Sequence, residues 1–374
     1  MDLVFTAEHD ALRAATRELL RRHAPESAVR ATMQTEDGYD PALWHRMAGE
    51  MGLQGLIVPE AFGGSGADFI DLGVVMEELG RALYCGPFLS SAVLAATALT
   101  AVGDETAART YLPALCAGSL VGTVADDRLL GGQGLPLPTA TPDAGTVRIT
   151  GRAGFVLDGH IADIVVVTAR HGDEIGLYLV DTRAAGTTAT PLPTMDLTRK
   201  IAAIEFCDTP AQRLGEPGNA HGVLTRVGDL ATIALAAEQA GSAQQVLDIT
   251  VDYARTRTQF GRTIGSFQAI KHRCADMSVD VESARSAGYN GIWTAASEPD
   301  DTQLGIAASI AHCYCSEAFT RAAASCIQVH GGIGFTWEHS AHLYYRRAKS
   351  TELLFGHPAQ HRRRLATLLG LTAA

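Results

Sequence analysis

The sequence predicts an α+β fold with an N-terminal helical domain, a middle β-domain and a C-terminal four-helix bundle. Apolar residues recur every three to four positions from Thr6 to about Leu115, and the same helical period returns after Gly218. Between these regions, short β-branched runs are separated by Gly and Asp turns, which is the pattern of strands. We therefore expect three domains, at residues 1–116, 117–217 and 218–374.

The N-terminal domain should be all-α. A helix is expected to begin near Thr6, a second to span Pro41–Met51 and a third to span Ile70–Leu83. The three glycines of segment 63–66 interrupt this pattern and predict a turn. They are not a dinucleotide-binding fingerprint, because no strand–turn–helix unit with a following acidic residue surrounds them.

The rest of the chain divides into strands and then long helices. Strands are predicted at Val147–Thr150, Ile164–Val167 and Ile175–Val180. Four amphipathic helical stretches are predicted at Val223–Thr256, Ser266–Ala295, Asp301–His330 and Glu338–Leu353. Their many alanines suit a bundle, because small side chains let helix axes approach closely.

Composition excludes several classes of protein. The 374 residues are 47% hydrophobic and 19% charged, as in a globular chain, and the formal net charge of −11 argues against broad nucleic-acid binding. Apolar stretches end well before the ~20 residues of a membrane span, and the N-terminus lacks a signal-peptide core, so we expect a cytoplasmic protein.

Neither disulfides nor a metal site is predicted. The seven cysteines are an odd number, widely spread and without a Cys-x-x-Cys pair. Glu338, His339 and His342 lie close in sequence, but no further ligand is evident and zinc would need one.

Four groups of motifs carry a resemblance to a known family. The first group comprises Gly55–Glu60, Phe62–Gly66 and Glu77–Arg81, and the second is the long segment Tyr253–Gln268. The third is Gln328–Phe335, and the last is Tyr345–Lys349 running into Gly356. Together they resemble the acyl-CoA dehydrogenase family over nearly the whole chain. The resemblance implies α,β-desaturation of a CoA thioester with FAD as cofactor.

The resemblance also implies which residues contact FAD. In relatives the matching residues of the second and third motifs act mainly on the FAD of a neighbouring subunit. Arginine suits the FAD pyrophosphate, because its planar guanidinium pairs bidentately with phosphate. The residues carried over are Arg257, Gln259, Phe260, Gln268, Gln328, Val329, His330, Gly331 and Gly332, with Phe155 on the side of the flavin ring.

The chain departs from the family where proton abstraction takes place. Relatives carry the glutamate base either before a C-terminal glycine, where this chain has Phe355, or on the earlier long helix, near Ala231. Neither side chain can accept a proton. The flavin-ring side is altered too, because the loop 125–132 lacks the family pattern and Phe155-Val156-Leu157 replaces a tryptophan-x-threonine.

This asymmetry favours an accessory subunit. A chain that lacks the base but keeps the residues acting on a neighbour resembles the base-lacking subunits of heteromeric actinobacterial acyl-CoA dehydrogenases, some of which act on steroid-side-chain thioesters. The implied partners are an acyl-CoA thioester, a second dehydrogenase-like chain or a second copy in a dimer or tetramer, and an electron-transfer flavoprotein or other acceptor. The sequence does not identify the acyl group.

Two alternatives stay open. The chain could be a self-sufficient homotetrameric dehydrogenase or related flavoenzyme that uses another acid, with Asp229, Glu238 and Glu352 as candidates. Glu238 interrupts an apolar run, but it lies about two turns from the usual position, some ~10 Å along the helix, and an interhelical ion pair explains it equally well. The third reading is a structural homologue without catalytic function.

Overall fold

The structure is a computed structural model that describes residues 4–130, 135–143, 146–216, 218–297 and 299–371. The N-terminal region contains six α-helices: α1 (Ala7–His23), α2 (Glu26–Thr32), α3 (Pro41–Met51), α4 (Phe69–Arg81), α5 (Ala96–Ala101) and α6 (Glu105–Cys116). A π-helical segment at Phe88–Ala95 runs into α5, and short 3₁₀ turns lie at Leu53–Gly55 and Glu60–Phe62.

Local sequence signals explain where these helices begin. Asp40, Asp68 and Asp104 each accept a hydrogen bond from a backbone N–H in the first turn of the helix that follows, which satisfies donors that have no intrahelical partner. The predicted helix over Pro41–Met51 is confirmed at both ends. The predicted glycine turn is also confirmed, since Gly63 and Gly66 adopt positive φ angles of 85° and 61°.

The middle region is a small closed sheet. Its strands are β1 (Gly122–Ala125), β2 (Thr139–Asp143), β3 (Thr146–Leu157), β4 (Ile164–His171), β5 (Glu174–Asp181), β6 (Thr187–Pro191) and β7 (Ile201–Leu214). The ring closes because β4 pairs with β5, β5 with β7, β7 with β3, β3 with β2 and β2 with β4. β1 and β6 pair outside the ring with β4 and β7, and each of them has this single partner strand in the described residues.

The C-terminal region is built on three long helices: α7 (Ala220–Thr256), α8 (Gln268–Ala296) and α9 (Asp301–His330). A hairpin of β8 (Thr258–Gln259) and β9 (Arg262–Thr263) joins α7 to α8, followed by a 3₁₀ turn at Ile264–Ser266. A second 3₁₀ turn, Gly331–Phe335, follows α9. The helical bundle after residue 218 is therefore confirmed.

The fourth predicted stretch is shorter than expected, and a further helix follows it. The chain forms α10 (Ala341–Thr351) and then α11 (Pro358–Leu368). The break has a backbone cause, because Phe355 and Gly356 adopt positive φ angles of 61° and 112° that no α-helix accommodates. Pro358 then begins α11, where its missing N–H costs nothing.

The helical and β regions pack around one large core. Its buried apolar side chains come from α1, α3 and α4, from the sheet and from α7, so the site between these regions has a rigid frame. The helices end at Cys116 before β1 begins at Gly122, and β7 ends at Leu214 before α7 begins at Ala220. The domain boundaries themselves stay predictions.

None of the helices in the described parts of the chain combines enough length and apolarity to cross a membrane.

Candidate functional site

A cavity of about 510 Å³ lies between the sheet and the C-terminal helices. Its apolar wall includes Leu130, Phe155 and Leu354, and its polar groups include Arg199 and Lys349. Phe155 stands on β3 and Lys349 on α10, so the cavity is formed where the β-domain meets the last turns of the bundle. We refer to it as the interdomain cavity.

Asp127 fixes the sheet wall of the interdomain cavity. The carboxylate of Asp127 accepts hydrogen bonds from the backbone N–H groups of Gly154, at 3.0 Å, and Phe155, at 2.7 Å. These contacts tie the altered loop to β3, while Gly131 and Gly132 of that loop lie outside the described residues. Leu157, which we predict from the sequence to replace a family threonine, is buried among apolar side chains and offers no hydroxyl.

Phe355 and Ala231, which we predict from the sequence to occupy the base positions of the family, are apolar and buried. Phe355 and Ala231 belong to the same large core cluster. Phe355 adopts a left-handed backbone conformation that is rare for a bulky residue, and His361 donates from Nε2 to its carbonyl oxygen at 3.0 Å. Neither the phenyl ring of Phe355 nor the methyl group of Ala231 can accept a proton, as general-base catalysis requires.

Glu238 lies in a buried cluster of charges. Arg199 and Arg347 each donate to its carboxylate, with N–O distances of 2.6 and 2.7 Å, and Arg347 also donates to Asp196 at 2.9 Å. Burial alone would raise the pKa of Glu238, but the two guanidinium groups outweigh burial and lower it. Glu238 on α7 and Arg347 on α10 therefore form the interhelical ion pair that the sequence left open as an explanation.

The other two acidic candidates are also paired. Asp229 is buried and accepts both guanidinium nitrogens of Arg364, one of them at 2.7 Å. Burial raises the pKa of Asp229 although Arg364 opposes the rise. Glu352 contacts Lys349 and lies 3.9 Å from His357. Each of these acids could serve as a base only after its ion pair breaks.

The arginine motif forms an exposed projection. Arg257 follows the end of α7, and its guanidinium has no ion-pair partner among the residues that the structure describes. Gln259 lies in the hairpin and Phe260 at its tip, with a φ angle of 53° and 90% of its surface exposed. Gln268 begins α8, and its amide nitrogen lies 3.4 Å from His272.

The glycine motif lies at the same end of the bundle as the arginine motif. The ring of His330 stacks on Tyr253, one turn before Arg257, with ring centroids 4.2 Å apart. Val329 and His330 are buried, whereas Gln328 is exposed. The structure thereby brings together two motifs that are separated by about seventy residues in the sequence.

The turn after α9 leaves its backbone open. A Cβ atom placed on Gly331 or Gly332 would meet nothing within 4 Å. Gly331 has a positive φ of 63°, which favours glycine. A flat ligand can therefore approach this backbone closely.

Sequence reasoning missed two features of the site. It gave Arg347 no role, because the residues that bind Arg347 lie far away in the sequence: Asp196 is 151 residues away and Glu238 is 109. It also did not connect Trp337 with His342, whose rings lie 4.6 Å apart beside Gln328. The exposed tryptophan next to the glycine motif was the available signal for the second feature.

Comparison with known proteins agrees with this architecture. The family model of the acyl-CoA dehydrogenase N-terminal domain matches residues 6–119, and that of the C-terminal domain matches residues 225–369. The chain is similar to acyl-CoA dehydrogenase IpdE2 of Mycolicibacterium smegmatis, with 38% identity over 96% of this chain and 97% of that protein.

Two solved structures are also similar. The ChsE4-ChsE5 complex from Mycobacterium tuberculosis matches with a TM-score of 0.90 and 30% identity, covering 100% of both chains. A single-substitution variant of the Tcur3481-Tcur3483 steroid ACAD matches with a TM-score of 0.85 and 30% identity, covering 97% of this chain and 98% of that one. This chain belongs to the acyl-CoA dehydrogenase family.

Proposed function

We propose that this chain is the accessory subunit of a heteromeric, FAD-dependent acyl-CoA dehydrogenase that desaturates a steroid-derived CoA thioester. One observation carries the proposal. Phe355 and Ala231 fill both family base positions with buried apolar groups, while Arg257 and Phe260 stay exposed on the face that acts on a neighbour in relatives. A subunit that completes the FAD site of its partner needs the exposed Arg257 and Phe260, but it does not need a base of its own.

The chemistry explains why a partner is needed. Desaturation removes the α-proton to a base while the β-hydrogen leaves as hydride, and FAD supplies the hydride acceptor when bound. Positioned general bases commonly contribute about 10²–10⁴-fold to rate, and neither a phenyl ring nor a methyl group can replace one. The base must then come from another chain.

FAD fits the exposed face of this chain. The guanidinium of Arg257, which has no ion-pair partner among the described residues, can donate two parallel hydrogen bonds to a phosphate. The open backbone at Gly331 and Gly332 leaves room for the rest of the dinucleotide. In the interdomain cavity, Phe155 retains an aromatic surface, but Leu157 removes the hydroxyl that relatives carry there. FAD shared with a neighbouring subunit therefore fits the exposed face better than FAD held only in the interdomain cavity.

The relatives support a two-chain enzyme and its substrate class. One similar solved structure is a complex of ChsE4 with ChsE5, and another is a steroid ACAD of two named components, Tcur3481 and Tcur3483. By analogy, the assembly proposed here is a cytoplasmic dimer or tetramer of unlike chains. Electrons from its reduced FAD would pass to an electron-transfer flavoprotein or a similar acceptor.

Co-expression tests the proposal directly. This chain is produced alone and together with an acyl-CoA dehydrogenase chain that carries the family glutamate, and each preparation is assayed with short, long and steroid-like CoA thioesters. We expect turnover only in the co-purified pair, and only when the glutamate of the added chain is intact.

The contrary result is equally specific. Turnover by the isolated, flavin-loaded chain would establish the self-sufficient alternative. Its loss in Asp229→Asn, Glu238→Gln or Glu352→Gln, with the fold preserved by circular dichroism, would then name the base.

A further inference from the structure

The interdomain cavity is bordered by apolar side chains that stay partly in water. Among its lining residues, Phe155 is 44%, Met195 51% and Leu353 56% exposed. Leu130 and Leu354 are buried and complete the apolar wall. Exposed apolar side chains around a concave space are typical of a ligand site, and the volume of about 510 Å³ lies within the usual range for small-molecule sites.

One polar group in the wall of the cavity lacks a partner. Arg199 lines the cavity, and its side chain is only 10% exposed. Its Nη2 donates to both carboxylate oxygens of Glu238, at 2.7 and 2.6 Å. Its Nη1 is shielded from solvent and has no hydrogen-bond partner among the residues that the structure describes. Buried N–H groups are almost always hydrogen-bonded, so this nitrogen calls for an acceptor from a ligand or water.

The acceptor should be uncharged. Arg199 and Arg347 donate to the carboxylates of Glu238 and Asp196 in the buried cluster, so two positive charges already balance two negative ones. A carboxylate or phosphate would add an unpaired charge to this cluster, and burying an unpaired charge is strongly unfavourable. A neutral carbonyl oxygen satisfies the free N–H without that penalty.

Other polar groups around the cavity are already engaged. Asp127 accepts the backbone N–H groups of Gly154 and Phe155 on the sheet wall, and Ser350 on α10 donates to Asp196 at 2.9 Å. A heterocycle with several donors and acceptors, such as a flavin ring, would therefore leave some of its polar atoms unsatisfied. A ligand with few polar atoms avoids this loss.

We infer that the interdomain cavity of this chain binds a rigid, apolar ring system through one ketone oxygen, which accepts a hydrogen bond from Arg199, in place of a flavin ring. The apolar walls bury the rings, and Nη1 of Arg199 supplies the single directional contact. The identification of the rings as a steroid rests on the proposed function, whose substrate is a steroid-derived thioester. The accessory chain then recognises the ring system in addition to completing the FAD site of its partner.

Two kinds of ligand share this chemistry. The ring system can belong to the thioester that the assembled enzyme desaturates, or to a separate ring ketone that binds as an effector. Both present the same apolar rings and ketone oxygen to Arg199, so a competition experiment on the assembled enzyme separates them.

Testosterone is the probe, because it is a rigid fused-ring compound with one conjugated ketone. Equilibrium dialysis with the isolated chain should show saturable binding of one molecule per chain. The absorbance of the ketone should shift to longer wavelength on binding, because a hydrogen bond from a cationic donor polarises the conjugated carbonyl. Lumiflavin, a flat ring with several polar groups, should not displace testosterone.

A substitution among the exposed lining residues tests the location of the site. Leu353→Asp should weaken testosterone binding by more than about 10-fold, because a carboxylate replaces an apolar side chain that borders the cavity. Leu369→Asp is the matched control, since Leu369 is 51% exposed but does not line the cavity. Its substitution should leave binding unchanged.

Arg199→Lys tests the hydrogen bond to the ketone. The ammonium group keeps a positive charge beside Glu238, but it lacks the second guanidinium nitrogen. Testosterone binding should weaken about 3- to 10-fold, and the shift in ketone absorbance should disappear. Thermal melts establish whether each variant is folded. If Arg199→Lys does not fold, the absorbance shift in the wild-type chain and the two leucine variants still decide the question.

Dialysis of the assembled enzyme identifies the source of the rings. Only the testosterone binding that Leu353→Asp removes is counted, and the competitor is an unreactive thioether analogue of a steroid-derived CoA thioester. Displacement of testosterone would show that the thioester supplies the rings, and retention would identify a separate effector; either result supports the inference. Absence of saturable binding to the wild-type chain, equal binding by Leu353→Asp, an unshifted ketone absorbance, or displacement by lumiflavin would overturn it.

The two proposals fail separately. Testosterone binding is measured on the folded chain alone, whereas the accessory role is measured by turnover with a partner. A chain that binds testosterone yet desaturates thioesters alone would refute only the accessory role. A chain that supports turnover with its partner but does not bind testosterone would refute only the ring site.

Discussion

Arg347 joins all three regions of the chain through a single guanidinium. From α10 it donates to Glu238 on α7, to Asp196 in the loop before β7, and to the carbonyl oxygen of Tyr84 in the N-terminal region at 3.2 Å. It is only 1% exposed, so these partners replace water almost completely. Removing the arginine would leave two buried carboxylates with one fewer cation between them.

We therefore expect Arg347→Met to lower the free energy of unfolding by about 3–5 kcal/mol, the usual effect of breaking a buried ion pair. Arg183→Met is the matched control, because Arg183 pairs with Asp181 on the surface and such pairs contribute about 0–1 kcal/mol. Urea denaturation of both variants measures the difference. Equal, small losses in the two variants would show that the buried cluster contributes no more than a surface pair.

Two buried histidines beside Phe355 make the stability of the folded chain depend on pH. The rings of His312 and His361 lie 4.5 Å apart. Burial lowers the pKa of His312 to about 3 and that of His361 to about 4, from an ordinary value of 6.5. As pH falls below 6.5, the unfolded chain takes up these protons while the folded chain does not, so the folded state loses stability.

The expected result is a free energy of unfolding that falls between pH 6.5 and about 4, by up to ~1.4 kcal/mol per pH unit for each histidine. His312→Asn should reduce that slope, and the exposed His221→Asn should not. Urea titrations at half-unit pH intervals provide the measurement. A slope in His312→Asn that equals the wild-type slope would contradict the assignment.

At the scale of elements, the crossing of α4 and α7 depends on two glycines, one on each helix, and each glycine faces the other helix. A Cβ atom on Gly80 would lie 2.0 Å from the carbonyl oxygen of Glu238, and one on Gly241 would lie 1.9 Å from that of Glu77. Ser242 donates to the carbonyl oxygen of Gly80 at 2.9 Å across the same crossing. The helices approach so closely that backbone meets backbone.

Gly80→Ala should consequently destabilise the fold, although alanine is the better helix former by about 1 kcal/mol. We expect a net loss of roughly 1–3 kcal/mol, as for other overpacked cores. Gly49→Ala is the control, since its Cβ would meet nothing within 4 Å inside α3, and it should be neutral or stabilising. Thermal denaturation distinguishes the two. A stabilised Gly80→Ala would show that the crossing can open at little cost.

The elements that the sequence predicts well are those with local signals. The bounds of α3 and α9 follow from caps at Asp40 and Asp300 and from helical periodicity, and the structure reproduces both. The end of α10 was predicted to within two residues, but α11 was missed, although Gly356 and Pro358 are local signals for a break between two helices. The positive φ of Phe355 has no such signal in the sequence.

The candidate site likewise combines residues that local sequence identifies with contacts that it does not. Motifs such as Arg257 and Gly331 are recognisable because each lies within a short run of sequence. The Arg347–Glu238 pair and the stacking of Tyr253 on His330 join residues from distant parts of the chain, and periodicity carries no information about such contacts. The contact between Trp337 and His342 depends in the same way on the folded structure.

At the scale of the whole molecule, charge is distributed unevenly. The chain carries a formal net charge of −11, yet Arg255, Arg257 and Arg262 follow one another around the exposed hairpin with no acidic residue between them. A local positive face on an acidic protein favours an anionic ligand at that face. Because this face lies outside the chain's own interdomain cavity, we propose a cofactor shared with a neighbouring subunit as its ligand.

This arrangement leads to a prediction about the assembled enzyme. In Arg257→Ala, retention of FAD should weaken by roughly 1.5–3 kcal/mol, because a charge-assisted pair of hydrogen bonds to the pyrophosphate is lost. Arg255→Ala is the matched control, since it removes another exposed arginine two positions earlier that is not among the residues carried over as FAD contacts. Flavin absorbance after serial dilution and gel filtration measures retention. Equal losses in both variants would indicate a general electrostatic effect. Unchanged flavin occupancy in Arg257→Ala would show that the arginine motif is not part of the FAD site. A monomer that keeps its flavin would contradict the shared site altogether.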